Sequence, residues 1–488
     1  MSLPDILNVK TMPTVENMRI DTQQLDPITI SDSECVFQIP KNGILDGGSM
    51  VSLAVTTAAG VEDAYFPVKT GIYGLVKSAH LLVGSKEIAS SEDVGFYETM
   101  VSQFSTPEHR ACVESVKSGR AMDRFVEVDE ATGRLLPVDL EYTLFANDNS
   151  ARAVVPKNLK PSPLDSTTPV FSVPLSNLIP MARSRQLPLF ALKENVFLRL
   201  VFNTQSERTD RTICCFPSGS ASSGVIKPSR VNIKFYSDHL YYSQPQMEAL
   251  RSQVFSEQGL SYLYEDQIMT LAQVPATANP GAGTVVTQSV ERDIAVSGRT
   301  VRSLLVQEKF STLGDNPGID VLGQYVSNDM ATETAYNFRI NEQRVYDRDV
   351  TKPAHKFNEL SQVFASPLQV PSQFYSFDVD ANKDVAVPDR AVNQNSLYLG
   401  RIENHVLPTD ANVGLGNDLR CTSHYIGIDM TTSGFNTLGN GKKVGNKPIV
   451  LSKTYKRTNG RNEAREIRVY ASVERLMTIK NGDVMVSA

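Results

Sequence analysis

Tryptophan is absent from this 488-residue sequence, cysteine occurs only five times and histidine six. Each scarcity excludes something. Cys35, Cys112, Cys214, Cys215 and Cys421 are too few and too scattered for a disulfide framework, and no Cys-x-x-Cys pair exists. They read as buried small hydrophobes, with adjacent Cys214 and Cys215 alone placed to bind metal or oxidise. The histidines (His80, His109, His239, His355, His405, His424) show no His-x-x-x-His spacing. Neither a Gly-x-Ser-x-Gly elbow nor a Gly-x-x-x-x-Gly-Lys-Ser/Thr loop is present. The expectation is a protein that is not an enzyme and holds no cofactor. No apolar run approaches the roughly 18 residues of a membrane span. Positive charge is not in excess either: Lys plus Arg total 48 against 54 Asp plus Glu, a net charge of -6. A protein that works mainly by neutralising phosphate should be basic, so sequence-specific nucleic-acid binding is not expected. The start, Met1-Ser-Leu-Pro-Asp-Ile6, lacks the basic and apolar regions of a secretory signal, and no Asn-x-Ser/Thr acceptor occurs. Synthesis in a reducing cytosol is expected.

What the sequence does contain is short alternating or aromatic runs punctuated by 26 prolines and 29 glycines, the pattern of an all-β protein. In Val231-Asn-Ile-Lys-Phe-Tyr236, the residues Val231, Ile233 and Phe235 share one face, as a half-buried strand requires. Ile467, Val469 and Ala471 do the same against Glu466, Arg468 and Tyr470. Further strands are expected at 35–39, 196–202, 262–269, 301–306 and 425–430. One short helix is expected over Pro245 to Phe255, where Met247, Leu250 and Val254 fall on one side.

Two segments resemble each other. Leu82-Val-Gly-Ser-Lys-Glu-Ile88 is followed by Phe96-Tyr-Glu98 and Ser102-Gln-Phe104; Arg339-Ile-Asn-Glu-Gln-Arg-Val345 is followed by Phe357-Asn-Glu359 and Ser361-Gln-Val-Phe364. In each, a strand turns at a residue that tolerates positive φ, Gly84 or Asn341, and a short helix follows. Ile233-Lys-Phe-Tyr236 and Ile467-Arg-Val-Tyr470 form a third pair in the same order. Duplication is the reading, with an N-terminal arm at 1–28, a first copy at 29–242, a linker helix at 243–258 and a second copy at 259–488. The Ser/Gly loop Pro217 to Gly224 is extra in the first copy.

Two tandem β domains, each with a strand, turn, strand and short helix, resemble the double jelly-roll major capsid proteins of double-stranded DNA viruses. The likeness is to the polinton-like virus, adintovirus and virophage group. It is carried by Val173-Pro-Leu-Ser-Asn-Leu-Ile-Pro180, Gln186-Leu-Pro-Leu-Phe190, Val196-Phe-Leu-Arg-Leu-Val-Phe-Asn203 and the junction from Val231 to Tyr242 into Tyr262-Leu-Tyr-Glu-Asp266. The resemblance implies two jelly-roll barrels and a homotrimer acting as a pseudo-hexagonal capsomer, with loops outward and termini inward. It also implies an icosahedral virion shell made in the host cytoplasm, with penton and minor capsid proteins as partners. A competing reading is a carbohydrate-binding or carbohydrate-cleaving tandem β-sandwich; the lack of Trp, a favoured sugar platform, weakens it, although 17 tyrosines could substitute.

Three local features carry a ligand reading beside a plainer one. Asp378, Asp380, Asn382 and Asp384 alternate as in a calcium loop, with Asp389 where the bidentate carboxylate would sit. Lys383 replaces the turn glycine, so a solvated polar turn is preferred and no metal is assigned. Gly439-Asn-Gly-Lys-Lys-Val-Gly445 lacks the phosphate-loop spacing and reads as a hairpin loop. The segment from Lys442 to Arg468 holds nine basic residues against Glu463 and Glu466. It reads either as a patch for an acidic partner or as a hairpin turning at Asn459-Gly460 with solvated cations, the latter preferred.

Phe96, Met100 and Phe104, like Phe357, Leu360 and Phe364, should pack onto barrel ends. Replacing Phe104 or Phe364 by Ala should then lower stability by about 3–5 kcal/mol. Thermal unfolding of both variants checks this, and two unchanged melting curves would contradict it.

Overall fold

Val196–Phe202 keeps its sequence alternation as a strand, with Val196, Leu198, Leu200 and Phe202 buried and Arg199 exposed beside Glu34 at 2.7 Å. The computed structural model describes residues 18–57, 63–67, 71–102, 115–118, 126–129, 134–137, 152–154, 170–203, 214–216, 226–278, 281, 284–310, 334–351, 353–363, 425–431, 438–457 and 464–487.

The first half builds two facing sheets. One runs Arg19–Leu25, Lys234–Tyr241, Met50–Thr57, Val170–Pro174; the other runs Thr29–Ile30, Glu34–Ile39, Val196–Phe202, Val76–Val83, Lys86–Glu92. Val51, Phe171 and Phe235 of the first meet Phe37, Leu81 and Leu198 of the second in one apolar core. The second half repeats the scheme. Leu260–Val274, Arg465–Lys480, Thr300–Phe310 and Tyr425–Asp429 face Val286–Ile294, Ile449–Arg457, Thr334–Ile340 and Gln343–Arg344. Val301, Ile426 and Val469 meet Tyr336, Phe338 and Leu451 between them. The strand pairings within these four sheets are antiparallel, so each half is a barrel-like sandwich whose alternating residues line one interior.

Three helices of nine or more residues punctuate the described strands: α1 (Val94–Ser102), α2 (Gln244–Val254) and α3 (Pro353–Val363). α1 and α3 follow equivalent hairpins. Their turns use positive φ at Gly84 (+60°), and at Asn341 and Glu342 (+50° and +70°), as the paired motifs require. α3 lies close over Tyr425–Asp429 because Gly427 has no Cβ; one there would stand 2.8 Å from Leu360 Cδ1 and 2.9 Å from Val363 Cγ2. α2 occupies the expected position and buries only Val254 fully.

Three expectations change. Arg19–Leu25, read as part of an arm, is an edge strand paired residue for residue with Lys234–Tyr241; a ladder forms from backbone groups, and its polar outer face gave no apolar signal. The strand expected to begin at Val231 begins at Lys234, leaving Val231 75% exposed in the preceding turn. Its inner face then continues through polar residues: Ser237 and His239 are buried and bonded to each other at 3.0 Å, with His239 Nδ1 2.8 Å from the Asn42 carbonyl. Finally, Ile467–Ala471 is buried on both faces, Arg468 and Tyr470 included, because the two halves meet there.

The turn into the strand Leu260–Val274 is conformationally demanding. Gly259 has φ +72°, and a Cβ would lie 2.8 Å from the Ile479 carbonyl oxygen. Gly259→Ala should therefore destabilise by about 1–3 kcal/mol, seen as a lower urea midpoint with an unchanged slope.

Candidate functional site: the junction between the barrels and the charged barrel end

The junction begins with the pairing of Leu260–Val274 against Arg465–Lys480, fifteen residue pairs in unbroken register. At roughly 3.4 Å per residue this ladder is about 50 Å long, more than one barrel needs. Its inner face divides between two cores. Tyr264, Met477 and Ile479 pack in the first, while Ile268, Val274, Ile467, Val469 and Val473 pack in the second. Between them in the register sits a salt bridge, Arg475 Nη1 to Asp266 Oδ2 at 2.9 Å. Asp266 also accepts the Ser90 N–H at 3.2 Å, and Ser91 donates to Gln267 at 2.9 Å. Burial raises the Asp266 carboxyl above its usual range, with Arg475 pulling the other way.

On the other face of the ladder, α1 and α3 pack over Tyr470 and Met269. Phe96 and Met100 of α1 join Leu360 of α3, with Leu305 and Tyr470, in a small apolar cluster between the barrels. Arg468 reaches across from the second barrel to Asp93 at 2.9 Å and lies 4.0 Å over the Phe96 ring, while Glu466 holds its other nitrogen at 3.0 Å. Stacking plus a two-carboxylate grip fixes the guanidinium plane in a way a lysine could not reproduce. Tyr97 and Tyr470 rings meet at 5.4 Å, and Arg183 bonds both the Tyr97 hydroxyl and Glu98 at 3.1 Å. Arg183, Ser184 and Arg185 also line an open groove of about 680 Å³ with Asp46 and Gln186, whose side chains are bonded to each other at 2.8 Å.

A second charged assembly lies inside one end of the second barrel. Phe310 pairs with Arg465, Thr334 with Tyr455 and Val286 with Arg457, so these strand ends stand together. Just inside them Glu308, fully buried, contacts Lys453 Nζ, Arg465 Nη1 at 3.1 Å and the Tyr455 hydroxyl at 3.1 Å. The cations of Lys453, Arg457 and Arg465 sit 4.9–5.3 Å from the Tyr455 ring. Burial alone would raise the Glu308 carboxyl; the charges and hydrogen bonds of Lys453 and Arg465 outweigh that and hold it below the ordinary glutamate range. Buried Lys356 of α3 is pulled down to about 7 by desolvation and by the Lys453 charge. The assembly places a network of paired charges inside the second barrel near these strand ends.

The preferred reading of the basic segment, a hairpin with solvated cations, is corrected. Lys453, Arg457, Arg465 and Arg468 are interior, while Lys442, Lys443, Lys447 and Lys456 are exposed; Arg461 and Asn459-Gly460 lie outside the described residues. The interior cations sit on Ile449–Arg457 and Arg465–Lys480, which are inner strands of two different sheets and do not pair with each other. The Gly439–Gly445 loop is a turn: the Gly439 N–H donates to Glu474 and the Gly445 N–H to Asn341 Oδ1, each at 2.9 Å. The calcium candidates Asp378, Asp380, Asn382, Asp384 and Asp389 lie outside the described residues, as do Phe104, Phe364, Cys112 and Cys421 and the side chains of Phe357, Cys214 and Cys215. Cys35 is buried and free, its thiol pushed up to about 12. Among the described residues no group of three or more acidic, histidine or cysteine side chains could hold a metal. The junction arginines went unrecognised in the sequence. A usable signal did exist for Glu308 and Lys453: opposite charges at core-facing register positions of Leu304-Leu-Val-Gln-Glu308 and Ile449-Val-Leu-Ser-Lys453.

No family model and no curated protein sequence matches the chain. Solved structures do, end to end. PBCV-1 VP54 is 12% identical, with a TM-score of 0.52 over 99% of both chains. The mavirus major capsid protein is 11% identical, with a TM-score of 0.51 over 100% of this chain and 95% of that one. The Faustovirus major capsid protein is 10% identical, with a TM-score of 0.53 over 97% and 92%.

Glu308→Gln should destabilise by about 3–5 kcal/mol at neutral pH, since it leaves buried Lys453 and Arg465 without their countercharge. A carboxyl lowered by folding stabilises above its unfolded value, near 4.5, and loses that contribution as pH falls through its folded value. Denaturant midpoints of wild type and variant should thus differ constantly above about pH 5 and converge below it. The chain adopts the double jelly-roll fold of viral major capsid proteins.

Proposed function

We propose that the protein is a major capsid protein that self-assembles, as a trimeric pseudo-hexagonal capsomer, into an icosahedral virion shell. One observation carries this reading: two jelly rolls joined into a single block align over nearly the whole length of both chains with capsid proteins. Two similar barrels per chain and three chains per trimer approximate six-fold symmetry, so one product can tile facets through near-equivalent edges. The junction supplies the rigidity this needs, since Arg468, Tyr470 and Asp266 fix one barrel against the other. The division proposed within this block is 29–242 and 259–488, with residues 243–258 between them.

The protein acts in this reading through subunit contacts and not as an enzyme. It works in the virion capsid after synthesis in the host cytoplasm, with penton and minor capsid proteins as its partners besides itself. Exposed charges such as Lys442, Lys443 and Lys447 suit contacts between capsomers that weaken with salt.

Mass photometry and electron microscopy of the purified protein over a salt series test the proposal. The expected species is a trimer burying well over about 2,000 Å² in its interfaces, with larger assemblies that dissociate as salt rises. A monomer under every condition would overturn it and turn attention to sugar binding.

A further inference from the structure

The first barrel is finished by residues from the far end of the sequence. Tyr264, Met477, Ile479 and Val484 are almost fully buried in the same cluster as Phe37, Leu81, Val83 and Leu198. Hydrogen bonds secure them: the Lys193 N–H donates to the Gly482 carbonyl at 3.0 Å, the Asn481 N–H to the Val254 carbonyl at 3.1 Å, and the Lys86 side chain, through Nζ, to the Val484 carbonyl at 3.2 Å. The Tyr264 hydroxyl donates to the Ile88 carbonyl. The same strand, Arg465–Lys480, delivers Ile467, Val469, Ala471 and Val473 to the second core.

We infer that the strands 465–487 act as a completion device, and that neither barrel is a folding unit without them. Undocking them uncovers apolar faces of both cores at once and leaves Asp266 buried without Arg475 and Asp93 without Arg468. Both penalties fall on both barrels, so partly folded states with one intact barrel are suppressed. Where the capsomer reading above holds, this also gates assembly, because a chain with these strands undocked offers neither barrel to a neighbour.

Pulse-labelling hydrogen exchange across a guanidinium titration of the full-length protein tests the coupling itself. Peptides within 76–92 and 196–202 report the first barrel, and peptides within 449–457 the second. All should lose protection together, at one midpoint and with one slope. Met477→Ala, which touches only the first core, should lower both midpoints equally. Protection of 76–92 persisting where 449–457 has exchanged, or the reverse, would overturn the inference on wild-type protein alone; so would a Met477→Ala shift confined to the first barrel. The readout is protection within one chain, so a failure of assembly in the salt series leaves this outcome separately legible.

Discussion

The antiparallel ladder of Leu260–Val274 and Arg465–Lys480 sets the geometry of everything around it, because its two continuous strands serve two hydrophobic cores. Antiparallel register leaves no slack: a slip of one residue would turn Tyr264, Ile268, Val469 and Val473 out of both cores together. The Asp266–Arg475 pair stands where the apolar lining passes from one core to the other. Its carboxyl is desolvated, so the pair contributes position more than stability, holding the ladder at one height relative to Lys86–Glu92 through the Ser90 N–H.

Around that ladder the two halves are alike in plan and unlike in finish. Each carries a hairpin, a positive-φ turn and a helix in the same order, with Gly84 and Asn341 at matching turns. The helices, α1 and α3, are drawn into the space between the barrels, where Phe96, Met100 and Leu360 exclude water from the Arg468 and Tyr470 contacts. Excluding water strengthens those contacts and raises the cost of breaking them singly. Among the described residues, the second barrel holds the Glu308, Lys453 and Arg465 network inside one end. A network satisfied from two facing sheets admits one relative placement of them, whereas an apolar plug would tolerate small shifts.

Alternation carried much of the fold at sequence level: Val196–Phe202 lies and faces as its period-two pattern places it, and Ile467–Ala471 is the strand expected, although both its faces are buried. Patterning failed where the backbone, not the side chains, made the strand, as in Arg19–Leu25, and where a core face turned polar, as at Ser237 and His239. The strand that pairs with Arg19–Leu25 and the Asn42 carbonyl that holds His239, 197 residues away, are both distant in sequence, so no local window contains them.

Composition and repeated motifs were enough to determine an all-β chain of two related halves, because side-chain period and turn chemistry are local properties. They could not say that Arg468 and Lys453 face inward. Both cations are buried against carboxylates from distant parts of the chain: Asp93 lies 375 residues from Arg468, Glu308 145 from Lys453. Those encounters, and the sharing of one ladder between two cores, exist only once the chain has closed on itself, so tertiary structure alone decided them.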